Sequence, residues 1–188
     1  MLSKVTINTE FIDKTRLVIF GEFVPGRSWL PFLKSFNLPS GDLSAGATVQ
    51  ALDTSGIRVG PVICFEGLFP DIAMKQRMNG AQLLAVLSVD DWYMGTGAPE
   101  QLRSGSVFRA IETGLPLVRS ASQGYSMVVD PRGHVITEAP LTKPQAITLD
   151  LPLPNPAQGE PPTRYLFSLI ALLSIPVLIT VRVADRSR

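Results

Sequence analysis

Hydrophobic positions in this chain come in short runs separated by turn-forming residues, and their spacing predicts an alternating α/β order. Ile57–Ile63 is a short apolar run bounded by turn signals and reads as a buried strand. Pro70–Arg77 reads as a short helix stopped by Asn79-Gly80. Leu83–Leu87 is a second buried strand. Pro99–Thr113 is a second helix, with Pro99 and Glu100 in its first turn and Gly114 as its C-terminal cap. Leu102, Val107, Phe108 and Ile111 share an apolar side of it, and Arg109 and Glu112, three apart, are spaced to pair. Leu117–Ser120 is a third strand. Ser126–Val129 and Val135–Thr137 flank Asp130-Pro-Arg-Gly133, a strong hairpin turn, and Ile147–Leu151 is a last strand. Upstream, Lys4–Phe11 and Leu17–Phe20 read as short strands, followed by an irregular excursion over residues 26–50 rich in turn residues. Strand–helix–strand–helix–strand followed by a hairpin is an α/β pattern with an antiparallel addition.

The pattern changes at the C-terminal end. Residues 152–163 hold five prolines and read as an extended linker. Residues 165–181, YLFSLIALLSIPVLITV, carry no charge and offer no polar face, which is the short end of a membrane-spanning helix. Arg164 precedes the run and Arg182, Arg186 and Arg188 follow it, flanks that suit a span whose C-terminal end faces the cytoplasm. Pro176 is tolerated in a membrane helix and would kink a soluble one. A buried C-terminal core helix is the alternative. The N-terminus has no apolar stretch of the signal-peptide kind.

Composition narrows the chemistry. A chain of 188 residues suffices for one domain with a real core, and a net charge of +1 leaves no electrostatic footprint for nucleic acid. One cysteine and one histidine exclude an intramolecular disulfide, a cysteine-based zinc site and a His-rich metal site. No metal or other cofactor is expected. That cysteine, Cys64, directly follows the Ile57–Ile63 run, with Glu66 two residues on and Gly67 easing the turn. A reactive residue at the C-terminal end of a buried strand is where parallel α/β sheets place their chemistry, so Cys64 is a candidate nucleophile. A small buried core cysteine is the bland alternative.

A thiol nucleophile needs a base or a nearby cation. A Cys64–His134 dyad is one option, although His134 follows the hairpin turn. A carboxylate base with a lysine for charge stabilisation is the other, with Lys14, Glu22 and Glu66 as candidates. Each of these taken alone also reads as a solvated surface charge. Ser88-Val89-Asp90-Asp91-Trp92-Tyr93 is a second group of polar and aromatic residues at a strand's C-terminal end.

Four stretches resemble, in order, motifs of the apolipoprotein N-acyltransferases, the membrane branch of the nitrilase or carbon-nitrogen hydrolase superfamily. The run from Asp13-Lys14 through Leu17-Val18-Ile-Phe20-Gly21-Glu22-Phe23-Val24-Pro25 is similar to "YxKxHLVPFGEYVP". Val62-Ile63-Cys64-Phe65-Glu66 resembles "ICYE", and Ser88-Val89-Asp90-Asp91-Trp92-Tyr93 resembles "SNDAWFG". Arg109-Ala110-Ile111-Glu112, then Pro116, Arg119 and Gly124, resemble "RAxE…RPxxRxxxxG", with Asp130-Pro-Arg-Gly133 as the following hairpin. The resemblance implies a four-layer αββα sandwich, here partial over residues 1–151, then a linker over 152–164, one transmembrane helix over 165–181 and a basic tail over 182–188. It implies a Glu–Lys–Cys triad in which Cys64 takes an acyl chain from a phospholipid and passes it to the N-terminal amine of a lipoprotein. Carried over by position, Lys14 stabilises the oxyanion and Glu22 and Glu66 support it. Phe65 and Trp92 are expected at the substrate. The expected setting is the bacterial inner membrane, with the domain on the periplasmic face.

Departures accompany the match. The family's general-base glutamate lies in the first third of its nitrilase domain, this chain is expected to begin after that point, and Glu10 lies too close to Lys14 to be its equivalent. Val89, Phe65 and Arg16 stand where the family has asparagine, tyrosine and histidine. A second chain supplying the missing part is therefore an expected partner. An amide-cleaving carbon-nitrogen hydrolase and a catalytically dead, membrane-anchored interaction module are the competing function classes.

Overall fold

The computed structural model describes residues 11–35, 37, 38, 41–139, 145–156 and 172–174. The chain divides into two units, Met1–Gln158 and Gly159–Arg188. In the first, six strands form one mixed sheet in sequence order: Leu52–Thr54 (β1), Ile57–Ile63 (β2), Leu83–Val89 (β3), Leu117–Ser122 (β4), Met127–Val129 (β5) and Val135–Glu138 (β6). β2, β3 and β4 are parallel, with Val62 opposite Val86 and Val86 opposite Arg119; β1, β5 and β6 add antiparallel edges. The parallel strands are joined by helices Pro70–Met78 (α1) and Ala98–Thr113 (α2).

Both crossovers step the same way along the sheet, so a common hand of connection puts both helices on one face. That face holds the core. Val62, Leu84, Val86 and Leu117 from the strands meet Ile72 and Ala73 of α1 and Ala110 of α2. Gly60 is required there, because a Cβ would lie 2.8 Å from the Cβ of Gln76 where α1 crosses β2. Pro61 is tolerated inside β2 because β1 pairs no further along it than Val59. The opposite face is different. Leu87 and Val89 of β3 are 55% and 51% exposed, on strands of a kind that normally carry cover on both sides.

One ion pair locks the ends of β3 and β4 together, and Arg119 Nη1 also donates to Ser106 Oγ of α2 at 3.4 Å. Arg119 on β4 and Asp90 after β3 are both fully buried, with Arg119 Nη2 donating to Asp90 Oδ2 at 2.6 Å. Arg119 Nε donates to the Tyr125 carbonyl at 3.0 Å, and Ser88 Oγ donates to the other Asp90 oxygen at 2.5 Å. A Cβ on Gly124 would collide with the same carboxylate, which explains the glycine in that motif. Arg109, the buried cation of α2, pairs with Glu112 at 2.9 Å and donates to the Leu68 carbonyl at 3.0 Å, tying the helix to the turn that follows β2.

The observed elements follow the sequence reading over residues 57–138, with β3 and β4 each two residues longer. Two expected strands are corrected. Leu17–Phe20 forms a tight turn instead, in which the amides of Gly21, Glu22 and Phe23 all converge on the Val18 carbonyl and Ile19 bridges only Phe23. Residues 147–151 run without a strand partner. β1 and a 3-10 turn at Pro31–Ser35 lie where no regular structure was expected. The strand expected at Lys4–Phe11 lies outside the described residues apart from Phe11. The transmembrane helix expected at 165–181 lies outside them apart from 172–174; among the described residues, no helix is long and apolar enough to cross a membrane.

Because the Arg119–Asp90 pair is wholly buried, removing one partner strands the other charge in the core. Arg119→Leu is expected to lower unfolding free energy by about 3–5 kcal/mol, against less than ~1 kcal/mol for removing the exposed Lys75–Asp71 pair by Lys75→Ala. Urea denaturation of the two variants side by side measures this.

Candidate active site

The chemistry gathers at the C-terminal ends of the parallel strands. β2 ends at Ile63, and the chain enters a 3-10 turn, Cys64–Leu68. Cys64 opens that turn at φ +54, a left-handed conformation unusual for a residue with a Cβ. Glu66, two residues on, is buried and folds back so that its Oε2 accepts the Ile63 amide at 2.9 Å. Its Oε1 accepts three further bonds, from the Thr15 amide at 2.7 Å, the Thr15 hydroxyl at 2.8 Å and the Arg16 amide at 3.0 Å. This one carboxylate therefore fastens the Lys14–Arg16 segment beside the start of the cysteine turn.

Lys14 is anchored from the other side. Its Nζ lies 2.6 and 2.7 Å from the two oxygens of Glu22, with the side chains 11% and 18% exposed. Glu22 also accepts the Val18 amide at 2.7 Å, so the tight turn that replaces the expected strand is what aims it. An ammonium has three N–H donors, and one remains beyond the two directed at Glu22.

Lys14, Glu22, Cys64, Trp92 and Tyr93 line one cavity of about 590 Å³, which extends over Leu87, Val89, Ser120 and Ser122 on the sheet face without helices. The Cys64 sulfur is half-buried, 4.0 Å from the Val89 carbonyl. Glu66 does not line the cavity; it holds the backbone behind it. Phe65 is directed elsewhere, against the Phe69 ring at 5.1 Å in an edge-on contact. The Cys64–His134 option is not assembled: His134 does not line the cavity, its side chain is 74% exposed, and its Nδ1 lies 2.9 Å from Asp130. That bond is the chief reason the Asp130 carboxyl is held below the usual 3.8.

Sequence reasoning left Tyr93, Ser120 and Ser122 out of the site. Their signal was position: Tyr93 closes the polar and aromatic group after β3, and the two serines end β4. Tyr93 is held above the ordinary tyrosine value of 10.0, first by burial and then by the negative charges that Cys64, Asp90 and Glu22 carry when ionised.

Together these features define an α/β domain with a cysteine-centred cleft at the C-terminal edge of its parallel strands. The chain belongs to the carbon-nitrogen hydrolase family, whose pattern matches residues 10–158, and its fold is nitrilase-like with a mixed sheet. The apolipoprotein N-acyltransferase of Geobacter metallireducens is 43% identical over 129 residues, covering 69% of this chain and 25% of that protein. That of Photobacterium profundum is 33% identical over 176 residues, covering 89% of this chain and 34% of that protein. The chain thus spans a quarter to a third of the length of these curated relatives. Among solved structures, a carbon-nitrogen hydrolase from Helicobacter pylori is 18% identical with a TM-score of 0.49, covering 55% of this chain and 43% of that one.

Two measurements test the geometry. Every bond to Glu66 comes from a donor, so Glu66→Gln turns an NH2 group toward an amide or hydroxyl hydrogen. Leaving a buried donor unsatisfied costs about 1–3 kcal/mol, so hydrogen exchange is expected to quicken by ~5-fold or more at the amide that faces the NH2, either Ile63 or the Thr15 and Arg16 pair. Unchanged protection at all three amides would show that Glu66 does not hold this segment. The second follows from Tyr93. A raised folded value favours the fold fully below 10.0, and that advantage is lost as pH rises through the folded value. The difference in phenolate absorbance between wild type and Tyr93→Phe is expected to titrate above 10.0.

Proposed function

We propose that this chain carries the cysteine side of an apolipoprotein N-acyltransferase-type site. The observation that carries this reading is the convergence of Cys64, Lys14, Glu22 and Trp92 on one cavity, on a chain whose relatives bear that name. In this reading the Cys64 thiolate attacks the ester carbonyl of a phospholipid, the Lys14 ammonium steadies the oxyanion with its free N–H, and the acyl group is held as a thioester. The N-terminal amine of a lipoprotein then takes it. Glu22 orients Lys14, Glu66 fixes the backbone, and Trp92 lends an apolar wall to the acyl chain.

The exposed sheet face supports a four-layer αββα sandwich. Leu87 and Val89 need a second layer, and in an αββα arrangement a second sheet supplies it. We infer that the covering segment, or a second chain, brings the carboxylate that accepts the thiol proton. Residues 1–151 would then be one part of the sandwich, 152–164 a linker, 165–181 the span in the bacterial inner membrane and 182–188 a cytoplasmic tail, with the domain on the periplasmic face.

The test is thioester formation at Cys64 from a phosphatidylethanolamine with a tagged acyl chain in detergent micelles, with Cys64→Ala as control. The chain alone is expected to label weakly, and adding a segment or chain that brings a glutamate to the thiol should raise the rate by about 10²–10⁴-fold. Efficient labelling by the lone chain would overturn the need for a partner, and no labelling in either case would overturn acyl transfer.

A further inference from the structure

We propose that Tyr93 is a further catalytic residue of this cleft: its phenol O–H donates a hydrogen bond to the carbonyl oxygen of the acyl group as Cys64 is acylated. The proposal rests on the reading of Cys64 as the nucleophile, but not on the identity of the acyl donor.

Three observations carry it. First, Tyr93 is fixed. It ends the 3-10 turn Asp91–Tyr93, its amide bonds the Asp90 carbonyl at 2.9 Å, and its own carbonyl accepts the Thr96 amide at 3.0 Å and hydroxyl at 2.6 Å. Asp90 is in turn held by the buried Arg119, and Asp91 Oδ1 accepts the Ser122 hydroxyl at 2.6 Å. A donor set so firmly costs little reorganisation when charge develops in front of it. Second, the side chain lines the same cavity as Cys64 and Lys14. Third, its hydroxyl has no hydrogen-bond partner among the described residues. The hydroxyl is open to the solvent of the cleft, so an incoming acceptor can take the place of water on it, and a tyrosine used only as apolar lining gains nothing over phenylalanine. The open partner position is best filled by an acceptor that arrives with the substrate. The phenol is also kept in its donor form, since burial and the charges around it oppose ionisation.

The step balances without an added reagent. The thiolate sulfur bonds to the carbonyl carbon, and the C=O π pair moves onto oxygen. That oxygen then accepts hydrogen bonds from Tyr93 O–H and Lys14 N–H. Collapse restores the C=O and breaks the bond to the leaving oxygen, which departs as alkoxide and takes a proton from water. Tyr93 keeps its proton throughout.

The test compares two reactions of the single thiol in the full chain. Acylation by p-nitrophenyl acetate passes through an oxyanion, whereas alkylation by iodoacetamide does not. Losing one oxyanion donor typically costs ~10²–10³-fold in an enzyme, and an activated ester asks for less help, so Tyr93→Phe is expected to slow acylation about 10-fold. Alkylation should stay within ~2-fold of wild type, because the ionised thiol does not depend on that donor. Equal acylation rates in the two proteins would overturn the proposal. So would a parallel fall in both reactions, which would make Tyr93 a determinant of thiol access or ionisation, and so would a wild-type Cys64 inert to both reagents. The Cys64→Ala variant assigns the signal. A chain that passes this test yet takes no acyl group from phospholipid loses the acyltransferase reading while keeping the Tyr93 assignment.

Discussion

The cleft depends on one buried carboxylate that does not line it. Glu66 accepts four hydrogen bonds, three from Thr15 and Arg16 and one from Ile63, and so joins two stretches of chain some fifty positions apart. A single acceptor that gathers four donors is strong where water is scarce. Its effect is geometric. The segment that bears Lys14 is fastened beside the end of β2, and Cys64 begins the next turn. Glu22 completes the arrangement from within the same segment, binding both the Lys14 ammonium and the Val18 amide. The lysine is thus set by two acids, one gripping its backbone neighbours and one its tip.

A second buried charge does the equivalent for the other wall. Asp90, paired with Arg119 and Ser88, fixes the turn that presents Trp92 and Tyr93. Both walls are therefore positioned by acidic side chains that are removed from solvent, while the floor is the apolar face of β3. The cleft thus sets a polar frame around an apolar floor, and the proposed acyl transfer draws on both.

Most of the central fold was legible. β2, β3, α1, α2 and the β5–β6 hairpin were signalled by apolar runs bounded by Asn79-Gly80, Gly114 and Asp130-Pro-Arg-Gly133, because these elements bury a face and end at turn residues whose backbone demands are local. Leu17–Phe20 was misread because its apolar residues are not buried in a sheet: Ile19 and Phe20 are 57% and 53% exposed on a turn built to aim Glu22. β1 went unseen because three residues, two of them polar, carry too little pattern. In the site, Cys64 and its neighbourhood could be read from strand position, and Lys14 and Glu22 from the motif. That Glu66 would hold backbone amides and that Tyr93 would complete the cavity depended on contacts between segments far apart in sequence, which no local pattern encodes.

The left-handed backbone at Cys64 has a consequence for how such a site persists. A residue with a Cβ held at φ +54 costs of order 1–3 kcal/mol, and glycine would remove that cost. The fold by itself therefore favours a residue that has no thiol. Glycine at position 64 would relax the backbone and at the same time remove the chain's one thiol, so at this position an unstrained turn and a sulfur exclude each other.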